Sequence, residues 1–527
     1  MGFFSKNAGV IASFIFLFSL AKSQTGPPPP FSFDLEPVSA NLPGFHSGAI
    51  GVWGNKWLII GGRTNGMHGM SSNDNFQTQY ANNNIIVIDT TLWQAYYSSL
   101  SVLSYSVADP LRSTNMQYYQ DSARLYLTGG FGWDSIQGRF TTFPVLSAID
   151  IPGMINAVIQ NTSIVPHIRQ LTDTLFQVCG GEMDKLGGKT YLCFGHNFQG
   201  RYSDPPSPLF TQVYSPWVKK FRLLDDGVNL SYSNLQFFED TTNFRRRDYN
   251  LYRMIFPNGN PGLAAFSGVF RPDIDLPVTR PVFMDSSSFT LPPYDQQMNN
   301  YTCAGIPIFD SVIPRMYWTF FGGMGVNHKN PQNNQVVYDS LVPFIDDITT
   351  MTLHPGGTLE EHIHSGRMPG LLGTNAKFIL RTQIPSYSNK VINFRLLPPT
   401  RSLAGYIVGG IRGSGPNLMP SYSNDTVYRV YINPVFSGIG KQAGQLHFSI
   451  FPNPAGNTFS VQLHRKSGGN YSFSISDLSG QILIRSNGKF PEEGRITFSH
   501  EGKLAPGVYF LSLESEGFSA TQKLIIF

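Results

Sequence analysis

Two histidines one residue apart open the search for chemistry. In Glu361-His362-Ile363-His364 a strand would turn both imidazoles to one face, as a pair of metal ligands needs. No third ligand is marked, so His362 and His364 are weak metal candidates, and two loop histidines at solvent are the plainer reading. A serine hydrolase would carry a marked nucleophile, and no Gly-x-Ser-x-Gly stretch occurs. Asp225, Asp226, Glu239 and Asp240 could include a glycosidase pair, but no spacing singles one out. Gly409 to Gly415 is glycine-rich yet lacks the lysine and helix of a phosphate loop. No cofactor is implied. A more coherent set is Arg63, His68, Trp133, Asp134, His196, Arg201, His328 and Arg412. Each follows an apolar strand that ends in glycine. Flat aromatic surface with a few directional polar groups is what a sugar or peptide site uses. Polar loop residues at solvent are the competing reading.

Those residues depend on a recurring element. Trp57 to Ile60 runs into Gly61-Gly62, and the pattern returns at Gly129-Gly130, Gly322-Gly323 and Gly409-Gly410. Degraded copies end at Phe194-Gly195 and Ser267-Gly268. Two glycines after a strand predict a sharp bend or a close backbone approach. In the first unit the order is strand, diglycine, polar loop, the strand Ile85 to Asp89, then Trp93. This order resembles a kelch repeat. The resemblance implies a β-propeller of six blades, with seven also fitting, and a ring of loop residues on one face. The glycine marks lie 55 to 87 residues apart, which predicts enlarged loops against the ~50 of a kelch unit. The alternating stretch Phe31 to Leu35 could pair with the last blade and close the ring. An ordinary β-sandwich is the alternative. Some kelch-like propellers resemble galactose oxidase, whose copper site needs two histidines, two tyrosines and a cysteine; nothing marks Cys303 for that role.

Composition agrees with an all-β chain. Of 527 residues only 14% are charged, while aromatics reach 13% and glycine and proline number 52 and 37. The net charge of +4 is scattered, and the cluster Arg245-Arg246-Arg247 reads as a solvated loop, so nucleic acid is not an expected partner. Residues 1–23 read as a cleaved export leader: Lys6, the apolar run Val10 to Leu20, then Ala21-Lys22-Ser23. No later stretch is long enough to span a membrane. Export permits a disulfide. Cys179 and Cys193 flank a turn signal at Lys185 to Gly188 and could face each other on a hairpin; two buried thiols are the alternative.

The propeller reading covers 24–438 and a linker covers 439–446. From 447 to 527 short alternating strands suggest an immunoglobulin-like sandwich without the cysteine pair. This module resembles the type A C-terminal sorting domain of the type IX secretion system of Bacteroidota. The matching residues are Pro452, Asn453 and Pro454, then Asp477 and Gly480, then Gly507, Val508 and Tyr509, and finally Lys523. The resemblance implies export through the outer-membrane translocon and removal of the module, with release or attachment to surface lipopolysaccharide. Asp-Ser/Thr steps at Thr90, Ser122, Thr174, Thr241, Ser311, Ser340 and Thr426 resemble O-glycosylation sites of such proteins, though they also form turns. The expected function is a surface or extracellular binding protein for glycan or protein. A secreted carbohydrate-active enzyme, oxidase or hydrolase, using the same mouth is the alternative, and a purely structural surface protein is a third reading.

Overall fold

The computed structural model describes residues 26–69, 75–202, 210–435, 448–463, 469–478, 481–515 and 518–527. The leader at 1–23, the linker at 439–446 and Gly480 lie outside the described residues. Contacts divide the chain into two units, one up to Val435 and one from Phe436.

The first unit is built from antiparallel four-stranded meanders. The first sheet holds Ala49–Trp53, Lys56–Ile60, Asn84–Asp89 and Gln94–Ser99. The second to fifth repeat this order, opening with Gln117–Asp121, Glu182–Leu186, Asn250–Ile255 and Ala304–Asp310. The fifth gains a short parallel strand, Ile392–Asn393, beside its opening strand. The sixth takes Lys377–Leu380, Ser402–Val408 and Tyr428–Pro434 from its own stretch of chain. Its fourth strand is Phe31–Pro37, paired from Phe31↔Pro434 to Pro37↔Tyr428.

Apolar side chains between neighbouring sheets make the core. Leu58 and Val87 of the first sheet meet Leu125 and Ile149 of the second. Tyr126 and Leu146 meet Leu192 and Phe221 of the third. Tyr191 and Val218 meet Leu263 and Val282 of the fourth. Phe266 meets Trp318 and Met351 of the fifth. Tyr317 and Phe321 meet Ile407, Val430 and Phe33 of the sixth. Ile379 and Val408 then meet Trp57 and Ile59 of the first. The succession returns to its start, a propeller-like circle. Each fully buried residue of this type contributes about 1.5–3 kcal/mol by leaving water.

The corners explain the repeated glycines. Both residues of every pair have left-handed backbone: Gly61 and Gly62 at φ +69° and +84°, Gly129 and Gly130 at +64° and +83°, Gly322 and Gly323 at +65° and +95°, Gly409 and Gly410 at +65° and +94°. The degraded copies keep the conformation, Phe194 at +53° and Ser267 at +60°, despite the cost that a Cβ adds there. The bend lets the second residue's N–H reach the segment entering the next sheet. Gly62 donates to Ser113 O at 2.8 Å, Gly130 to Val178 O at 3.0 Å, Gly195 to Arg246 O at 2.9 Å, and Gly410 to Phe45 O at 2.9 Å. Arg246 is not on a solvated loop as its composition suggests. It is wholly buried, and its guanidinium donates to Ser267 O and Arg280 O, both at 3.1 Å, bracing the two corners that lack a full diglycine.

The hairpin holding Cys193 turns at Gly187-Gly188, past the midpoint of the two cysteines. Cys193 therefore faces Glu182, and Cys179 bridges to His196 instead. All three cysteines are free and buried, which corrects the expected Cys179–Cys193 disulfide. The Asp-Ser/Thr steps are turns in five cases: Asp89, Asp173, Asp240, Asp310 and Asp339 each accept the N–H two residues on.

The second unit has two antiparallel sheets around one core. Phe448–Phe451, Thr458–Leu463 and Arg495–Ser499 form one, and Asn470–Ser476, Ile482–Lys489, Gly507–Ser515 and Phe518–Ile526 form the other. Asn453 clamps the last strand: its Nδ2 donates to Lys523 O at 2.6 Å and its Oδ1 accepts the Ile525 N–H at 2.9 Å. Pro452, Pro454 and Lys523 are exposed around this clamp. Asp477 closes its turn by accepting the Gln481 N–H. Gly507 and Val508 pair with Ile526 and Ile525, and the buried Tyr509 donates its hydroxyl to Ala505 O at 2.8 Å.

A Cβ on Gly129 would lie 1.7 Å from Val178 O, whereas one on Gly138, also left-handed at φ +64°, would meet nothing within 4 Å. Gly129→Ala is therefore expected to lower stability in urea denaturation by more than about 2 kcal/mol, and Gly138→Ala by only about 1 kcal/mol.

Candidate functional site

The strand that opens each sheet lies nearest the axis. Two residues before it stands a residue in left-handed conformation: Ser47, Asn115, Gly180, Asp248, Thr302 and Asn375, with φ between +44° and +64°. Their backbones link around the axis. Asn115 N–H donates to Ser47 O at 2.9 Å, Gly180 to Asn115 O at 2.9 Å, Asp248 to Gly180 O at 2.8 Å, and Asn375 to Thr302 O at 2.5 Å. Asn115 Nδ2 also donates to Asp248 Oδ1 at 3.0 Å, and Asp248 pairs with Arg247. All six residues line a niche of about 30 Å³.

Beyond this belt the axis widens into a cavity of about 720 Å³. All six opening strands line it, and its rim includes the turns at Trp53-Gly54 and Ser122 and the loop from Ser386 to Lys390. Those turns follow the opening strands, so the mouth faces away from the diglycine corners. Glu182 and Lys377 line both niche and cavity and bond across the axis at 3.1 Å. Burial pushes the Glu182 carboxyl up, against the pull of Lys377. The same burial would lower the Lys377 ammonium, but the Glu182 carboxylate outweighs it and raises Lys377 instead. Lys377 Nζ also lies 5.6 Å from the centre of the Tyr118 ring. Further out, Arg253 grips Asp184 with Nη2–Oδ1 at 2.6 Å and Nε–Oδ2 at 2.8 Å. Tyr252 donates to Cys303 O at 2.7 Å. The walls are thus tyrosine and aliphatic surface, crossed by fixed ion pairs.

The residues expected from the loops after the glycines lie on the other face. Phe76, Phe131, Phe140, Phe198, Tyr202 and Phe210 form an aromatic group there. Arg63 is buried over Phe76 and donates to Gln77 O at 2.9 Å; burial pulls its pKa down to about 10. His68 stacks on Phe76 at 4.3 Å. His196 is buried against Phe198, and its Nδ1 accepts from Gln212 Nε2 at 2.7 Å. Arg201 lies over Phe140, and Trp133, 37% exposed, meets the same ring edge-on. Asp134 is buried and accepts the Ile136 and Gln137 N–H groups, a turn-forming role. Five of the eight therefore gather on one aromatic group. His328 and Arg412 stand on separate hairpins of the fifth and sixth sheets. His362 donates Nδ1–H to Gly26 O at 3.0 Å, and His364 Nε2 shares a 2.7 Å hydrogen bond with Thr350 Oγ1. Among the described residues no three His, Cys, Asp or Glu side chains converge as a metal site. Cys303 and tyrosines line the cavity, and no histidine among the described residues does, so those residues do not assemble the two-histidine copper set there.

Glu182, Asp184, Arg253, Lys377 and Tyr118 carry no motif. Their one sequence mark is position: each opens a unit, a few residues after the left-handed residue.

A family model described as a secretion system C-terminal sorting domain matches residues 449–527. No curated protein sequence matches the chain. Among solved structures, the chain is similar to a fungal alcohol oxidase of the AA5 family in complex with copper, at 10% identity over 94% of this chain and 100% of that one, TM-score 0.36. YjhT is 15% identical over 72% of this chain and 95% of its own, TM-score 0.39. A Bacteroides ovatus protein titled xyloglucan PUL GH43B is 8% identical over 93% and 92%, TM-score 0.31. No helix among the described residues is long and apolar enough to cross a membrane.

Removing one partner of the axial pair strands the other. Lys377→Met is expected to cost about 2 kcal/mol in urea denaturation, below the figure for a fully buried pair because 29% and 21% of the two side chains stay open to the cavity; adding Glu182→Gln recovers most of it. Burial, then Arg63, holds His46 down to about 3, and burial, then His362, does the same for His364. Between pH 6.5 and 3 the unfolded chain takes up these protons and the folded chain does not. Stability should therefore fall as pH drops from 7 to 5, by roughly 1.4 kcal/mol per pH unit below 6.5 for each such histidine, with a shallower slope in His364→Gln. By its matching tail, the chain is an exported protein that ends in a secretion-system sorting domain.

Proposed function

We propose that residues 26–435 are a six-bladed, kelch-like β-propeller that works outside the cell as a binding protein for glycan or protein. The immunoglobulin-like tail hands it to the type IX translocon and is then removed, leaving the propeller free or attached to surface lipopolysaccharide. The circle of six sheet-to-sheet cores supports the blade number. The observation that carries the binding reading is the axial cavity. Its volume of about 720 Å³ falls within the ~300–1,000 Å³ of small-molecule sites, and it joins aromatic walls to charged groups already held in place. A sugar unit or a side chain fits that description. On the opposite face Trp133 and Arg201, both against Phe140, offer a second surface.

A carbohydrate-active enzyme is the second reading, favoured by one observation: burial raises the Glu182 carboxyl at the inner end of the cavity, as a general acid requires. Turnover of a polysaccharide panel, lost in Glu182→Gln, would establish it.

The site is tested by a glycan array on the full chain. Trp53 lies at the cavity mouth and is 45% exposed, so Trp53→Ala should weaken binding about 5- to 10-fold, the worth of one aromatic contact. Trp133→Ala should leave it unchanged. The reverse pattern moves the site to the diglycine face, and no binding to any glycan or peptide removes the reading.

A further inference from the structure

The charges of the cavity do not balance, and the imbalance sits at its mouth. Two carboxylates line it, and each already has a cation. Glu182 is paired with Lys377, and Asp184 is held by Arg253. Nearby Asp121, just outside the lining, pairs with Lys185. Two cations of the lining, Arg381 and Lys390, have no carboxylate within ion-pair distance among the described residues. The cavity therefore carries two positive charges in excess, both in its outer half.

Lys390 is held there by construction. Its loop is tied to the fourth sheet at two points: Arg253 Nη1 donates to Asn389 O at 3.4 Å, and Asn389 Nδ2 donates to Met254 O at 3.2 Å. The loop closes on itself through Lys390 N–H to Tyr387 O and Tyr387 N–H to Val391 O, both at 2.8 Å. Lys390 itself takes left-handed backbone at φ +63°, a conformation that a lysine adopts at a cost. The result sets a lysine beside an arginine whose own carboxylate is already engaged. Partial desolvation, and then the Arg253 guanidinium, hold the Lys390 ammonium below the usual lysine range. An anion between the two would relieve both effects.

Resting on the binding reading above, we propose that the axial cavity takes an acidic sugar, its carboxylate or sulfate held at the mouth by Lys390, Arg253 and Arg381 and its ring lying inward along Tyr118 and Tyr252. The depth suits this orientation. The inner end is a closed ion pair that can bond hydroxyls through either partner but has no spare charge for an anion. A neutral sugar would leave the outer cations as they are, and a bare inorganic anion would leave the aromatic wall uncovered.

Calorimetric titration of the full chain with glucuronate, glucose and inorganic sulfate tests this. Glucuronate is expected to bind at least tenfold tighter than glucose and tighter than sulfate, with affinity falling as salt rises. Lys390→Gln and Arg381→Gln alter exposed side chains and should each cut glucuronate affinity several-fold, and the double variant should bring it to the level of glucose. Equal affinity for glucose and glucuronate overturns the proposal while leaving the cavity a sugar site. Glucuronate affinity untouched by both substitutions overturns it by placing the anion elsewhere. Sulfate binding as tight as glucuronate reduces the site to a general anion trap and also overturns it. Absence of any sugar binding, acidic or neutral, overturns the proposal, and only if peptides also fail to bind does the binding reading fall with it.

Discussion

Six left-handed residues around one axis fix the first unit. Ser47, Asn115, Gly180, Asp248, Thr302 and Asn375 each bend the chain just before a sheet begins, and backbone hydrogen bonds join Ser47 through Asn115 and Gly180 to Asp248, and Thr302 to Asn375. An axis crowded by six strands leaves little room for side chains, so neighbouring sheets are tied there by peptide groups. A buried peptide group must find a partner, and here the next sheet supplies it. The glycine corners repeat the device further out, where Gly62, Gly130, Gly195 and Gly410 bond to the segment that enters the neighbouring sheet. The apolar cores between sheets supply most of the energy, but these two rings of left-handed backbone decide which sheet stands beside which.

Much of this was legible in the chain, and the reasons for the rest are local. The diglycines announced the corners because glycine is the residue that adopts such backbone cheaply. Phe194 and Ser267 weakened the signal without weakening the geometry, since Arg246 and close packing hold them in the same conformation. In the first three units the axial residue stands 14 positions before the corner, as Ser47 before Gly61, Asn115 before Gly129 and Gly180 before Phe194. That spacing was present but mute: Ser, Asn, Gly, Asp and Thr share no single side chain. The disulfide expectation failed on a shift of register, because Gly187-Gly188 rather than the midpoint of the cysteines sets the hairpin. Alternation marked Phe31 to Leu35 as a strand, and the need to close a ring of sheets pointed to its pairing with the last one.

The cavity was illegible for a different reason. Its residues come from opening strands and the turns and loop beyond them, spread from Ile50 to Lys390, and none lies in a motif. Glu182, Asp184, Arg253 and Lys377 look like ordinary strand charges until the circle brings them within reach of one another. The loop residues drew attention because they sit beside glycines, yet Arg63, Asp134 and His196 are buried and serve the aromatic group and its turns. Proximity to a landmark in sequence marked the scaffold of one face, while the opposite face holds the space.

The sixth sheet has an implication for how the molecule comes into being. Its outer strand, Phe31–Pro37, is made some four hundred residues before its partner, Tyr428–Pro434. The earlier strand must wait, unzipped, for the later one. Until then Phe31 and Phe33 have no home, and the whole circle is open along one seam. Such distant partners make for slow assembly. The strand that closes the circle acts as its latch, and loss of Phe31–Pro37 would leave it ajar.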